Sequence, residues 1–310
     1  MTNELTTTAT KNEITTFNHF NLIDKWLSYA QVSESSVKSY TKGIRRLMEY
    51  CKAKSIKSLN RAELISYREY LKGKYAVATA NLYLTAAKLF LSFLTVEGYM
   101  ANNPADRVKG LKVVAGHKKD ALSASMVQNI LSKFDTSTIK GKRDKALFAL
   151  MTTAGLRTIE ISRADVTDII TKDDKYFLLV QGKGHNEKDS LVRISNGVYD
   201  LLKEYISASK QKGALFGSLS RRNKGGRMST NSISRIVKSA MKAAGYDSRR
   251  LTAHSLRHTA ATVALKQGAS LREVQQVLRH TSISVTQIYL HELDRLENHA
   301  ECLTAAAFGL

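Results

Sequence analysis

One proline serves the whole 310-residue chain, Pro104, and it marks where the polypeptide divides. It stands in the stretch GYMANNPADRVKGLKVVAGHKKDALS. The residue before a proline is pushed out of helical backbone, so Asn-Asn-Pro ends a helix, and the Lys/Gly-rich run behind it lacks the apolar periodicity to start another. Residues 104–118 therefore read as a linker. Length agrees, since roughly 100–200 residues make a domain and 43% hydrophobic residues supply material for two cores. Upstream, Val37, Tyr40, Ile44, Leu47 and Met48 recur at helical spacing while Lys38, Lys42 and Arg45 fall off that stripe. A second long helical pattern covers Ala78–Tyr99, and shorter ones cover Phe20–Tyr29 and Arg61–Lys72. A helical domain over 17–103 follows, preceded by a polar, Thr-rich, flexible start at 1–16. Downstream, Asp144–Thr153 reads as a helix that stops near Gly155, and YFLLVQ and DSLVRI, separated by the polar turn GKGHNEK, read as a β-hairpin. The expected fold is mainly α with a small β-sheet, the second domain spanning 119–310.

Charge narrows the partner. The chain carries 48 Lys and Arg against 27 Asp and Glu, a net +21. Residues 1–116 hold 17 basic and 9 acidic residues, or +8, and residues 117–310 hold 31 and 18, or +13. A protein basic in both halves can neutralise phosphates on two sides of a duplex, with salt-dependent affinity. A membrane-surface protein would want a concentrated basic amphipathic helix or a lipid signal, and neither is present. The N-terminus lacks an apolar signal region, and no apolar run approaches the roughly 20 residues of a membrane span. Cys51 and Cys302 are too few and too far apart for a disulfide framework, which points to a reducing cytoplasm. GKG is followed by His, and no Gly stands five residues before Gly182, so the phosphate loop of an ATPase is absent.

The densest chemistry lies in the last fifth, AHSLRHTAATVALKQGASLREVQQVLRHTSISVTQIYLHE. If HSLRHT opens a helix, His254 and Arg257 project from nearly one face and one phosphate can touch both. A planar guanidinium offers paired donors to non-bridging oxygens, and imidazole gives or takes a proton near neutrality. His280 and Tyr289 follow in order. A phenol has a reference pKa of about 10, so Tyr289 needs neighbouring cations or a base to act as a nucleophile at pH 7.

Through HSLRHT, LRH at 278–280 and TQIYLH, this segment resembles the tyrosine recombinase family, the lambda-integrase or Xer-type site-specific DNA recombinases. The resemblance extends upstream. In AGLRTIEIS, Arg157 stands at the family's first catalytic arginine and Glu160 at its usual acidic position; in LLVQGKGHNEKDSLVRI, Lys183 matches the lysine of the hairpin turn. One departure is Arg279, where many relatives carry Gly before the histidine, which raises a question about the local backbone. The resemblance implies an N-terminal SAM-like core-binding domain and a catalytic domain that together form a C-shaped clamp on DNA. It implies a homotetramer on two double-stranded recombination sites, passing through a Holliday junction, with accessory proteins in some systems. It implies attack by Tyr289 to give a 3′-phosphotyrosine, a phosphate clamp of Arg157 and Arg257, Lys183 as acid to the leaving 5′-hydroxyl, His254 as acid/base and His280 as a hydrogen-bond donor. No metal and no cofactor are implied. Lys42, Arg46 and Lys88, on the outer faces of the first domain, are candidate DNA contacts.

Each motif alone has a blander reading. Arg157 with Glu160 resembles a helix-end ion pair, Gly-Lys-Gly ordinary turn chemistry, His280 a helix terminus and Tyr289 a core aromatic beside Ile283, Val285, Ile288 and Leu290. His254 and His258 have the i, i+4 spacing of metal ligands, yet Ser255 stands where a zinc protease needs Glu. Six residues in the family's order outweigh these readings. Two rivals follow: a type IB topoisomerase-like relaxing enzyme, and a non-catalytic DNA-binding regulator, which would be expected to have lost Tyr289 or an arginine. After Tyr289, the helical recurrence of Leu293, Leu296, Ala300 and Leu303 predicts a tail helix that docks in cis or on a neighbouring subunit.

Overall fold

A computed structural model of the chain describes residues 20–30, 32–56, 59–112, 120–182, 184–297 and 300–309. The chain separates into two compact units, Met1–Ala115 and Gly116–Leu310. The expected flexible start at 1–16 lies outside the described residues.

The first unit consists of α1 (Phe20–Tyr29), α2 (Glu34–Ala53), α3 (Arg61–Lys74) and α4 (Val77–Val96). Side chains fix two of the starts: Ser33 accepts from the Ser36 amide and Asn60 from the Glu63 amide, each satisfying a donor the helix leaves open. α2 crosses α4 where Gly43 has no side chain; a Cβ there would lie 2.8 Å from that of Ala86. Trp26, Ile44, Leu64, Tyr67, Leu84 and Phe90 fill the core. α4 corrects the sequence expectation about apolar length, because its 20 residues are long and apolar enough to cross a membrane. Half of that stretch is buried within the unit, and Tyr83, Leu84, Phe90 and Leu91 face its core. A helix apolar nearly all round suits a central element of a bundle as well as a bilayer.

Of the stretch expected as a linker, residues 104–112 pack on the first unit. Pro104 opens a turn, but Ala105 and Val108 are buried, and the Asn81 amide both donates to the Leu111 carbonyl (2.9 Å) and accepts from its N–H (2.8 Å). Residues 113–119 lie outside the described residues.

The second unit is built on α6 (Ile139–Ala154), whose Leu147, Phe148, Leu150 and Met151 are buried among α5 (Ala124–Ser132), α8 (Asn196–Ser209), α9 (Thr230–Ala243) and α10 (Ala253–Lys266). A three-stranded antiparallel sheet of β1 (Ile169–Lys172), β2 (Lys175–Val180) and β3 (Ser190–Ile194) follows the short α7 (Thr158–Arg163). The register pairs Ile169 with Leu178 and Leu178 with Val192. β2 and β3 match the expected hairpin; β1 was not anticipated. Its connection to β2 is the two-residue turn Asp173-Asp174, both at positive φ (49° and 54°), the geometry that matches strand twist. α11 (Leu271–Leu278), α12 (Ile283–Glu297) and α13 (Ala300–Ala307) complete the unit.

Candidate active site

Helix ends converge on the site. α6 stops at Gly155, whose φ of +58° is the left-handed cap, and the chain turns directly into Arg157 at the N-terminus of α7. His254 lies in the first turn of α10 and Arg257 one turn later. α11 stops at Leu278, and α12 then carries Tyr289 inward.

Arg257 is 2% exposed. Its guanidinium donates to the Gly155 carbonyl (Nη1, 2.6 Å) and to the Leu278 carbonyl (Nη2). These belong to the C-terminal ends of α6 and α11, where open carbonyls and the helix dipole offer negative charge to a buried cation. Burial, and then the neighbouring Arg157 and Arg279, push its pKa down to about 9, so it stays charged at neutrality. Arg157 is more open, its side chain 29% exposed, while Glu160 is fully buried. The Glu160 carboxylate accepts from the Arg157 backbone amide (2.7 Å), from Arg157 Nη1 (2.9 Å) and from Arg279 Nη2 (2.8 Å). Burial alone would raise the pKa of this carboxyl. The charge of Arg279 and the hydrogen bonds from Arg157 and Arg279 outweigh it and hold the carboxyl below its ordinary range.

Arg157, His254 and Arg257 line one cavity of about 660 Å³, together with Arg235, Lys238 and Arg249. His254 is exposed, whereas His258, one turn on, is buried edge-on against the Tyr289 ring at 4.6 Å between centroids. The two histidines thus diverge. The His280 ring lies parallel to Tyr289 at 6.4 Å, and its Nδ1 is 3.0 Å from the hydroxyl of fully buried Thr286. Burial, and then Arg257 and Arg157, push the His280 pKa down to about 4. Tyr289 is 4% exposed within a small cluster with Ala261, Val274 and Leu278. Along α12 the apolar pattern is inverted: Thr286 and Tyr289 point inward, while Ile283, Val285, Ile288 and Leu290 are exposed.

Five of the expected residues, Arg157, His254, Arg257, His280 and Tyr289, together with Glu160, thus gather in one unit. Lys183 lies outside the described residues. The hairpin's Lys188 is committed elsewhere, to Asp165 (2.8 Å) and Asp168 (2.5 Å). In the first unit Lys42 is exposed, Arg46 pairs with Glu49, and the half-buried Lys88 donates to the Val108 carbonyl (2.7 Å). Sequence reasoning did not single out Thr286, three residues before Tyr289, or Arg235 and Lys238 on one face of α9. Helical spacing carries both signals.

The phage integrase family model matches residues 120–295, and the model of the phage integrase N-terminal SAM-like domain matches residues 20–96. The chain is 28% identical over 287 residues to the tyrosine recombinase XerD of Listeria monocytogenes serotype 4b (strain F2365), covering 89% of this chain and 92% of the relative. It is 31% identical over 236 residues to the tyrosine recombinase XerC of Roseiflexus sp. (strain RS-1), covering 74% and 73%. Among solved structures, XerH bound to a palindromic difH substrate in a post-cleavage complex aligns with a TM-score of 0.73 at 21% identity, covering 89% of this chain and 83% of that one. A lambda integrase tetramer bound to a Holliday junction aligns at 0.70 and 16%, covering 90% and 78%. The two arginines on one cavity, the buried tyrosine beside two histidines and these matches lead to one assignment: the chain belongs to the phage integrase family of tyrosine recombinases.

Proposed function

We propose that this site-specific recombinase cleaves and rejoins DNA through Tyr289, with Arg157 and Arg257 holding the scissile phosphate. The observation that carries the reading is the single cavity lined by Arg157, His254 and Arg257 beside the stacked His280 and Tyr289. The arginines stabilise negative charge that grows on the non-bridging oxygens in the transition state, an electrostatic effect that dominates such reactions. Tyr289 attacks phosphorus, the 3′-phosphotyrosine bond forms and the bond to the 5′-oxygen breaks. Lys183 gives its proton to that oxygen, and His254 takes the phenolic proton. A neutral His280 whose Nδ1 accepts from the Thr286 hydroxyl carries its proton on Nε2, suited to donate to a phosphate oxygen. The covalent link preserves the phosphodiester's energy, so a 5′-hydroxyl from a second duplex reverses the attack without ATP, through a Holliday junction.

Both units are basic, which supports contacts to duplex DNA from each, with Lys42 and Arg46 on the first. Lys88, held on Val108, supports the fold there and is the weakest of the three candidates. The exposed apolar side of α12, with Leu303 and Phe308 more than two-thirds exposed on and after α13, supports a tail that packs on a second protomer, hence a homotetramer on two sites. Integration or excision of a mobile element, or resolution of replicon dimers, are the tasks such a cytoplasmic enzyme performs, with accessory proteins where the site requires them.

The test is covalent trapping. The protein is mixed with supercoiled plasmid carrying the site it selects from a randomised duplex pool, and the mixture is denatured in detergent. An adduct that vanishes with Tyr289→Phe is expected; a persisting adduct, or none from wild type on a site it binds tightly, overturns the reading.

A further inference from the structure

Arg279 occupies a backbone position at which arginine is out of place. α11 ends at Leu278, and Arg279 follows at φ +53°, its amide turned back to the Gln275 and Gln276 carbonyls and that of His280 to Gln275 (3.2 Å). Such a left-handed cap favours glycine, because a Cβ crowds the following carbonyl. The side chain is nevertheless drawn inward, 13% exposed. Nη1 donates to the Val277 carbonyl (2.6 Å) and Nη2 to Glu160 (2.8 Å). Among the described residues its buried Nε has no hydrogen-bond partner. A strained backbone and an unsatisfied donor are thus both tolerated to keep this guanidinium against a carboxylate with no exposed surface.

Glu160 is therefore shared by two arginines, and only one of them faces the cavity. Arg157 lines it; Arg279 is absent from its lining and has both Nη atoms committed. Resting on the recombinase reading above, we propose that Arg279 is a positioning residue: the permanent counter-ion of Glu160, which keeps the carboxylate fixed and charged while Arg157 shifts its Nη1 from Glu160 to a phosphate oxygen. If Arg157 were the only partner, every move toward the phosphate would leave a buried carboxylate without a cation in contact, and that resists the move. With Arg279 in place the Arg157 backbone amide and the Arg279 guanidinium hold Glu160, and the Arg157 side chain is at liberty to engage DNA. The cations around Glu160 are Arg157 from its own helix, Arg279 from the end of α11, and Arg257 of α10, whose charge Glu160 also supports.

The test uses the full chain and three variants. Arg279→Gly removes the backbone strain and the counter-ion together, Arg279→Gln removes the charge at similar length, and Arg279→Lys restores charge without the forked donors. In wild type the Glu160 carboxyl sits below its ordinary value, so its contribution to stability is present above the unfolded pKa and is lost only as pH falls through the lower folded one. Without Arg279 the largest of the causes that oppose burial is lost and the carboxyl rises from its wild-type position, so the variant becomes weaker relative to wild type as pH increases from 4 to 8. Denaturant midpoints for Arg279→Gly and Arg279→Gln that diverge from wild type toward pH 8, and recover in Arg279→Lys, are expected. A wild-type-to-variant difference constant across this range overturns the proposal, and this reading needs no DNA. In the trapping assay with plasmid carrying the selected site, Arg279→Gly is expected to form adduct up to about a hundredfold more slowly, as mispositioned reacting groups do. An acid limb absent from wild type is also expected, with DNA binding retained. Wild-type adduct together with an Arg279→Gly rate equal to it at every pH refutes Arg279 as a positioning residue and leaves the Tyr289 reading intact; absence of wild-type adduct strikes that reading instead, with the unfolding series still deciding the state of Glu160. Should the glycine variant not fold, Arg279→Gln carries both comparisons.

Discussion

Gly155→Ala joins the fold to the chemistry in one substitution. Gly155 caps α6 at φ +58°, its carbonyl accepts from Arg257 Nη1 at 2.6 Å, and a Cβ built on it would lie 2.7 Å from Leu278 Cδ2. An L-residue in left-handed backbone costs about 1–2 kcal/mol. Forcing an atom against Leu278, which is fully buried, adds about 1–3 kcal/mol as overpacking, for a total of about 2–5 kcal/mol. Gly268→Ala isolates the first effect: Gly268 follows the C-terminal end of α10 at φ +87° with nothing within 4 Å of its would-be Cβ, so it bears the backbone cost alone and the difference between the two variants is the clash. Urea unfolding of the two variants is expected to differ by about 1–3 kcal/mol, read as midpoint shifts with slopes unchanged. Because Leu278 supplies the second carbonyl on Arg257, the same displacement moves the guanidinium. Adduct formation by folded Gly155→Ala should fall on the order of a hundredfold, while Gly268→Ala stays near wild type. Equal destabilisation by both alanines would refute the clash, and wild-type cleavage by folded Gly155→Ala would refute the claim that main-chain carbonyls set the position of Arg257.

Three further outcomes follow from the structure. His280 is held down to about 4 by burial and its arginine neighbours, so the unfolded chain takes its proton first; stability attributable to His280 is lost as pH falls from about 6.5 toward 4, a slope that His280→Gln should flatten. Thr286→Val removes the hydroxyl on His280 Nδ1 at nearly constant shape and should slow adduct formation about tenfold, the equivalent of one hydrogen bond, and an unchanged rate would show that His280 is oriented by other contacts. Of the two cysteines, Cys51 is buried with its thiol pushed up to about 11, and Cys302 is exposed; a thiol reagent at pH 7.5 should label Cys302 in the native protein and Cys51 only on unfolding.

What the sequence made legible was periodicity and motif. α1 matches its expected span, the apolar stripe from Val37 to Met48 became α2, and the β2–β3 hairpin appeared where alternating strands flank a polar turn. The expectation failed where a signal was short or was overridden. β1 has four residues, too few for a period, and its clue was the Asp173-Asp174 turn rather than the strand itself. The segment after Pro104 was read from its lysines and glycines, whereas its fate was decided by Asn81, thirty residues away, whose amide pairs with Leu111 in both directions. The site was legible as a set of residue types in order, but not as a geometry. Nothing local says that Arg257 would be bound by two helix-end carbonyls, that Glu160 would be more deeply buried than Arg157, or that His254 and His258 would face apart.

With Arg157 and Arg257 holding the scissile phosphate as proposed, the arrangement of charge explains why such a site is poised for DNA. Arg157, Arg257 and Arg279 surround one buried carboxylate, Glu160, so the free protein concentrates more positive than negative charge beside the cavity that Arg157 and Arg257 line. Helix ends make this tolerable: carbonyls at Gly155, Val277 and Leu278 accept from the guanidinium groups and supply partial negative charge without an ionisable group that could be protonated. An extra carboxylate would stabilise the free protein better, but it would then compete with the scissile phosphate for the same donors. Partial charges from the main chain hold the arginines in place and leave the remaining excess for the substrate. Burial first, and then the same excess, lowers the proton affinity of His280.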